Sequence, residues 1–165
     1  MRRLESSVVR AAVIGLMLLL FSAGPACAQH LWPKLAYGMT PDEVLRAVPH
    51  SARSSDDAVE LERYVLADTE FTVRFLFRAK HLHQVHLDQP TKLVQNEVTL
   101  RAFDKIVDVL RKTYGQEAER HVESESWGLA GEATWRKADA EIAVNISPVT
   151  QSHSTLLVNF FYRGQ

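Results

Sequence analysis

Four large apolar side chains recur at every second position of FTVRFLFR, residues 71–78. Successive side chains of a β-strand point to opposite faces of the sheet, so this period predicts a strand with one face in a core. A sheet with one apolar face must bury that face against another layer, so the chain has to supply further strands and a cover. The predicted core face is Phe71, Val73, Phe75 and Phe77.

The first partner strand is predicted in HLHQVHLD, residues 81–88, after a short turn. One register keeps the apolar side chains of both strands on the same face, and a shift by one residue breaks that match. By strand alternation, His81 and His83 then point to one face and His86 points to the other. The predicted pairs are Phe75 with Val85, Phe77 with His83, and Val73 with Leu87.

Capping signals and helical periods predict two helices. In the first, Thr40 precedes Pro41 and Glu43 follows, which is the pattern of a capping box with proline at the first helical position. In the second, at residues 99–115, apolar side chains recur at helical spacing and Gly115 follows the last turn. The apolar stripe of the second helix is Leu100, Phe103, Val107, Leu110 and Tyr114.

Two segments, residues 64–75 (YVLADTEFTVRF) and 135–146 (WRKADAEIAVNI), align without a gap. The shared order of helix and strands predicts a tandem duplication, with repeats at about residues 36–89 and 96–163 in a single domain, residues 29–165. The predicted fold class is α+β. Each repeat is a helix plus about three antiparallel strands, and the fold has two layers with the helices on one face of a shared antiparallel sheet. Residues 50–57 are predicted as a loop and GLAG, residues 128–131, as a hairpin turn.

Residues 1–28 have the layout of a secretory signal peptide: a basic start, an apolar run and the small residues Ala26-Cys27-Ala28. The apolar run is shorter than the roughly 20 residues needed to span a bilayer. We therefore expect cleavage after Ala28 and a periplasmic or secreted protein. Gly24 and Pro25 precede the cysteine in place of a lipoprotein signal, so lipid modification of Cys27 is disfavoured.

Cleavage would remove the single cysteine of the chain, so no thiol or disulfide chemistry is expected afterwards. It would also remove three of the 19 basic residues and one of the 20 acidic ones, which moves the net charge from −1 to −3. Proteins that bind nucleic acid need a basic surface, so nucleic acid is not an expected partner. No second apolar run approaches membrane length, so the mature chain is not expected to span a membrane.

The motif Gly38-Met39-Thr40, followed by Glu43-Val44 and then Pro49, resembles the start of the BamE-like domain of SmpA/OmlA-type outer-membrane assembly lipoproteins. A tandem of such helix-and-sheet units is also similar to proteins of the β-lactamase-inhibitor type. The resemblance implies an α+β binding module in the periplasm, without enzymatic activity.

Two other functions are open alternatives. A His-x-His pair on one strand face, His81 and His83, can hold zinc or copper if further ligands join it, which would make a periplasmic metal-binding protein. A hydrolase with a cryptic site is the second alternative. The chain has neither a Gly-x-Ser-x-Gly elbow nor a His-Glu-x-x-His motif. We therefore predict no enzymatic activity, no catalytic residue, no bound metal and no cofactor.

The sheet face turned away from the helices is the predicted binding surface, because mixed aromatic, apolar and charged side chains suit contacts with a partner. His83 is expected at the edge of the core beside Phe77, not on this surface. The expected function is an exported, non-enzymatic binding or envelope-assembly module that contacts an envelope protein or a small ligand. The candidate binding residues are Arg74, Leu76, His86, Asp88, Asn145, Asn159 and Phe161.

Overall fold

The structure is a computed structural model that describes residues 34–91 and 93–163. The predicted signal peptide at residues 1–28, with its cleavage site and Cys27, lies outside the described residues. The helices are α1 (Pro41–Ala47) and α2 (Asn96–Tyr114). The strands are β1 (Ala52–Ser55), β2 (Ala58–Leu66), β3 (Thr69–Arg78), β4 (His81–Asp88), β5 (Val94–Gln95), β6 (Glu119–Glu125), β7 (Gly128–Arg136), β8 (Ala140–Pro148) and β9 (His153–Tyr162).

All nine strands of the described ranges belong to one sheet, and every pair of neighbours is antiparallel. The order across the sheet is β1-β2-β3-β4-β9-β8-β7-β6, and the short β5 pairs with one end of β9. β4 and β9 therefore meet at the centre of the sheet, and β1 and β6 form its two edges. Residues far apart in sequence become direct neighbours at that central pair.

The predicted fold class is wrong. We expected an α+β tandem of one helix plus about three strands, in two layers, whereas the described chain is mostly a single large antiparallel sheet accompanied by two helices. The prediction missed β1, which lies in the expected loop at residues 50–57, and the first part of β2, of which only the end lies in the aligned segment at residues 64–75. It also took residues 128–131 as a turn, although they begin β7. β1 is exposed along its whole length, so it carries no apolar period.

The core lies on one face of the sheet, hereafter the core face. The alternation predicted for residues 71–78 is confirmed, since all four of its apolar side chains are buried. Val44 of α1 and Phe103 of α2 join the same buried cluster as these strand residues. α2 contacts β8 and β9, and α1 contacts β2. Four of the five predicted stripe residues of α2 are buried, and Leu100 is half-buried.

The capping box predicted for α1 is confirmed. The Thr40 backbone N–H donates to Glu43 Oε2 at 2.7 Å, and the Glu43 N–H donates to Thr40 Oγ1 at 3.4 Å. Pro41 occupies the first helical position, where its missing N–H leaves no hydrogen bond unmade. α2 begins at Asn96, three residues before the predicted start, and ends at Tyr114; the next residue, Gly115, has a positive φ of 81°, which suits glycine.

The register between β3 and β4 confirms two of the three predicted pairs, Phe75 with Val85 and Val73 with Leu87. Phe77, however, lies opposite Leu82, and the prediction that it faces His83 is wrong. A register shift between Leu76 and Phe77 inserts one extra residue in β4, which is a β-bulge at His83.

An ion pair fixes the connection between α2 and β6. Arg111 Nε donates to Glu117 Oε2 at 2.7 Å, and Arg111 Nη2 donates to the other carboxylate oxygen. Only 4% of the Glu117 side chain is exposed. The hydrogen bonds from Arg111 lower the pKa of the Glu117 carboxyl to about 2.

We expect Glu117→Gln to lower the free energy of unfolding by about 1.5–3 kcal/mol at neutral pH, because charge-assisted hydrogen bonds are lost. The pKa of Glu117 is lower in the folded chain than the value of about 4.3 in an unfolded chain, so its stabilisation is complete above that value and declines as the pH falls toward 2. Urea unfolding should therefore show the difference between wild type and variant shrinking by roughly half between about pH 6 and pH 3.

Asp108→Asn is the matched control, because Asp108 Oδ1 accepts from the same guanidinium at 3.1 Å but its side chain is 63% exposed. We expect only a small loss of stability from this control. Two results would contradict a stabilising role for the Arg111–Glu117 ion pair. One is an equal loss of stability in the Asp108 and Glu117 variants, and the other is a loss in the Glu117 variant that does not change with pH.

Candidate functional site

The sheet face opposite the core face, hereafter the open face, carries all of the predicted binding residues. Residues paired across antiparallel strands point to the same face, and the paired positions here alternate with buried core positions along each strand. The structure thus brings the candidates from both halves of the chain together around the β4–β9 pair. The residues are Arg74, Leu76, His86, Asp88, Asn145, Asn159 and Phe161.

Three rows of paired residues cross the open face from β3 to β7. The central row is Arg74, His86, Asn159, Ala143 and Thr134. The row on one side is Leu76, Gln84, Phe161, Glu141 and Arg136. The row on the other side is Thr72, Asp88, Leu157, Asn145 and Glu132.

Ion pairs stand at both ends of these rows. On one side Arg74 Nε contacts Glu60 Oε1 at 3.1 Å, and Arg74 Nη1 lies 3.5 Å from Asp88 Oδ2. On the other side Arg163 Nη2 lies 2.7 Å from Glu141 Oε2, and Arg136 Nη1 contacts Glu119 at 2.8 Å. Three arginines thus face four carboxylates in these ion pairs, Glu132 on β7 is in no ion pair with a described residue, and the centre of the face is polar but neutral.

The centre of the open face is buried. Asn159 is 6% exposed and Thr134 is 4% exposed, although neither side chain points into the core. Asn159 Oδ1, Thr134 Oγ1 and His86 Nε2 are buried and make no hydrogen bond with any residue that the structure describes. Buried polar atoms of this kind are rare in folded proteins, because an unmade hydrogen bond leaves the cost of desolvation uncompensated.

His86 is neutral near pH 7. Burial lowers the pKa of its imidazole, Asp88 partly offsets that effect, and Arg74 and His83 lower the pKa further. A neutral imidazole has one donor and one acceptor nitrogen, so His86 Nε2 can take either role.

The bulge in β4 changes the arrangement of the three histidines. His81 pairs with Arg78 and His86 pairs with Arg74, so both histidines lie on the open face. The prediction that they point to opposite faces is wrong, because the extra residue at His83 shifts the alternation by one position. His81 Nδ1 lies 2.9 Å from the Gly38 carbonyl oxygen.

His83 itself is half-buried at the bulge, and its Nδ1 is buried without a hydrogen-bond partner in the described ranges. No group of three or more His, Cys, Asp or Glu side chains among residues 34–91 and 93–163 is placed to hold a metal ion. His81 therefore forms a hydrogen bond with a backbone carbonyl oxygen, and His83 lies half-buried in the bulge.

Sequence reasoning missed Thr134 and Ala143 as members of the site. The signal was available in EATWRKA, residues 132–138, because a strand that buries Trp135 must turn Thr134 to the other face. Trp135 is 1% exposed on the core face, whereas Trp127 is 55% exposed. The aligned Tyr64 is half-buried and packs against the same core.

Neither helix of the described ranges is both long and apolar enough to cross a membrane. Comparison of the chain with models of protein families, with curated proteins and with solved structures found no match.

Proposed function

We propose that the protein is an exported, non-enzymatic binding module of the cell envelope, and that its ligand or partner docks on the open face. The observation that carries the proposal is the buried central row, in which Asn159, Thr134 and His86 hold buried polar atoms without partners in the described chain. The signal-peptide layout of residues 1–28 supports export. The resemblance of Gly38-Met39-Thr40 to the start of BamE-like domains supports an envelope setting.

An ordinary solvated sheet face would not have this character. Its polar side chains would extend into water, and any unpaired oxygen or nitrogen would be hydrated. Here three polar atoms are buried without a hydrogen-bond partner among the described residues. A binding partner that docks over this row and moves the neighbouring side chains would complete the missing hydrogen bonds.

Crosslinking in cells tests this function. A photo-reactive phenylalanine analogue at position 161, on the open face and 38% exposed in the wild type, should give a defined adduct in the envelope fraction. The same analogue at Val98, which is 42% exposed on α2, is the matched control and should give none. Equal adducts at both positions, or none at position 161, would contradict docking on the open face.

Export is tested in the same cells by fractionation and by the N-terminal sequence of the purified chain. We expect a processed protein that begins at Gln29 and is found outside the cytoplasm. An unprocessed chain in the cytoplasm would exclude the envelope assignment, whatever the crosslinking result.

A further inference from the structure

We propose that the outer edge of β6 binds an extended segment of a partner protein as an additional strand, in which basic and apolar side chains alternate. This edge is separate from the centre of the open face, so the inference goes beyond the proposed function. The unpaired backbone of β6, a groove beside it and the charges along it each point to this occupant.

β6 is a regular edge strand with one unpaired side. All seven of its residues pair with β7 without a register shift, and no other strand of the described ranges pairs with it. Every second residue of such a strand turns its N–H and C=O groups outward. An extended peptide that lies along the edge satisfies these groups with main-chain hydrogen bonds.

The other edge of the sheet is less suited to an added strand. β1 has only four residues, its register with β2 shifts between Arg53 and Ser55, and α1 contacts it. Arg53 Nη2 also lies 2.7 Å from Asp42 Oδ1 of α1. Short and irregular edge strands are poor templates for pairing with another chain. Strand addition is therefore expected at β6.

A groove lies beside β6 on the core face. It has a volume of about 400 Å³ and is lined by Leu100 and Asp104 of α2 and by Arg120 and Val122 of β6. Leu100 and Val122 are half-buried, and Arg120 Nη2 lies 2.5 Å from Asp104 Oδ1. An added strand turns every second side chain to the core face, where it reaches this groove. Apolar side chains suit these positions, because they cover Leu100 and Val122 without leaving a new charge unpaired.

The open-face side of β6 and β7 is acidic. It carries four carboxylates, those of Glu119, Glu123, Glu125 and Glu132. Only the first two have an ion-pair partner in the described ranges, Arg136 at 2.8 Å and His121 at 2.9 Å. The remaining side chains of an added strand stand beside these carboxylates. Opposite charges on neighbouring strands stabilise a sheet and like charges destabilise it, so basic side chains suit these positions.

The same charges disfavour a second copy of this chain at the edge. If two antiparallel β6 strands met about a two-fold axis at Val122, Glu119 of each copy would lie opposite Glu125 of the other. An axis at Glu123 would set that residue opposite itself, and axes at residues 120, 121 and 124 would also oppose like charges. A basic segment replaces this repulsion by attraction, which gives the edge its specificity.

The test uses the mature, isotope-labelled protein and two synthetic peptides of about nine residues, at up to about 1 mM. In one peptide lysine and valine alternate, and in the other the same residues stand in two blocks. We expect the alternating peptide to shift the amide signals of β6, Leu100 and Asp104, and to slow hydrogen exchange at every second amide of β6. The block peptide should bind at least about tenfold more weakly, because it cannot place its two residue types on opposite faces.

Reversal of charge on β6 tests the choice of a basic segment. Glu123→Lys combined with Glu125→Lys should weaken binding of the alternating peptide by at least about tenfold. Glu62→Lys combined with Glu70→Lys is the matched control, since these carboxylates are also exposed but lie on β2 and β3. The control has the same net charge as the β6 variant and should keep its affinity within about twofold.

Three results would overturn strand addition at β6. They are unchanged hydrogen exchange of β6 with the alternating peptide, equal binding of the two peptides, and equal binding by the charge-reversed and control variants. Slow exchange at every β6 amide in the free protein would assign the edge to a second copy and would also overturn it. A crosslinked adduct at position 161 without peptide binding would leave the proposed function standing and remove only the β6 site.

Discussion

Replacement of Trp135 by alanine is expected to lower the free energy of unfolding by about 3–5 kcal/mol, because a large aromatic side chain is removed from a packed core. Trp135 is 1% exposed, and its Nε1 donates to the Gly115 carbonyl oxygen at 2.8 Å. The side chain therefore joins β7 to the end of α2. A loss of this size is a large fraction of the 5–15 kcal/mol by which domains are usually stable.

Urea unfolding of the mature protein measures this loss, and Trp135→Phe separates its two causes. Phenylalanine keeps most of the ring volume but leaves the Gly115 carbonyl without its donor, so we expect a loss of about 1–3 kcal/mol from that variant. An alanine variant that loses less than about 1 kcal/mol would show that Trp135 does not hold α2 to the sheet.

The elements predicted from the sequence are those in which periodicity and burial agree. β3 was found because its buried side chains alternate without interruption, and α1 because a capping box is a local signal. The first part of β2 was missed because a register shift between Leu61 and Tyr64 interrupts the alternation of the strand, and Arg63 within it has a positive φ of 56°. β1 was missed because an exposed edge strand has no apolar face to detect.

The candidate site was predicted in part, because alternation along a strand also shows which residues share a face. Alternation along β3 and β9 placed Arg74, Asn159 and Phe161 on one face. The pairing of β4 with β9 joins residues 69 to 77 positions apart in sequence, and no local pattern encodes it. The bulge at His83 could not be predicted from the sequence. Histidines fall on both faces of the strand at residues 81–88 (HLHQVHLD) whether or not the alternation is interrupted. The burial of Asn159 and Thr134 depends on how neighbouring strands pack, which only the assembled sheet reveals.

Gly128 is the position at which even the smallest added side chain should have a large effect. It begins β7 with a φ of 143°, a conformation that residues with a side chain rarely adopt. A Cβ atom there would lie 2.6 Å from Pro148 Cβ and 2.9 Å from the Thr150 carbonyl oxygen. Pro148 is the last residue of β8 and Thr150 lies in the β8–β9 connection, so the glycine lets the start of β7 pack directly against this end of the β8–β9 hairpin.

We expect Gly128→Ala to lower the free energy of unfolding by about 2–5 kcal/mol, the combined cost of backbone strain and overpacking. Gly115→Ala is the matched control, since Gly115 also has a positive φ but a Cβ there would meet no atom within 4 Å. Its loss should be about 1–3 kcal/mol, the cost of the backbone conformation alone, because a φ of 81° with a ψ of −169° is a region essentially restricted to glycine. Urea unfolding of the two variants side by side measures the difference, which is the steric contribution of Pro148 and Thr150. Equal losses would mean that the β8–β9 connection moves aside freely, and that the close packing of this end of the sheet adds nothing to its stability.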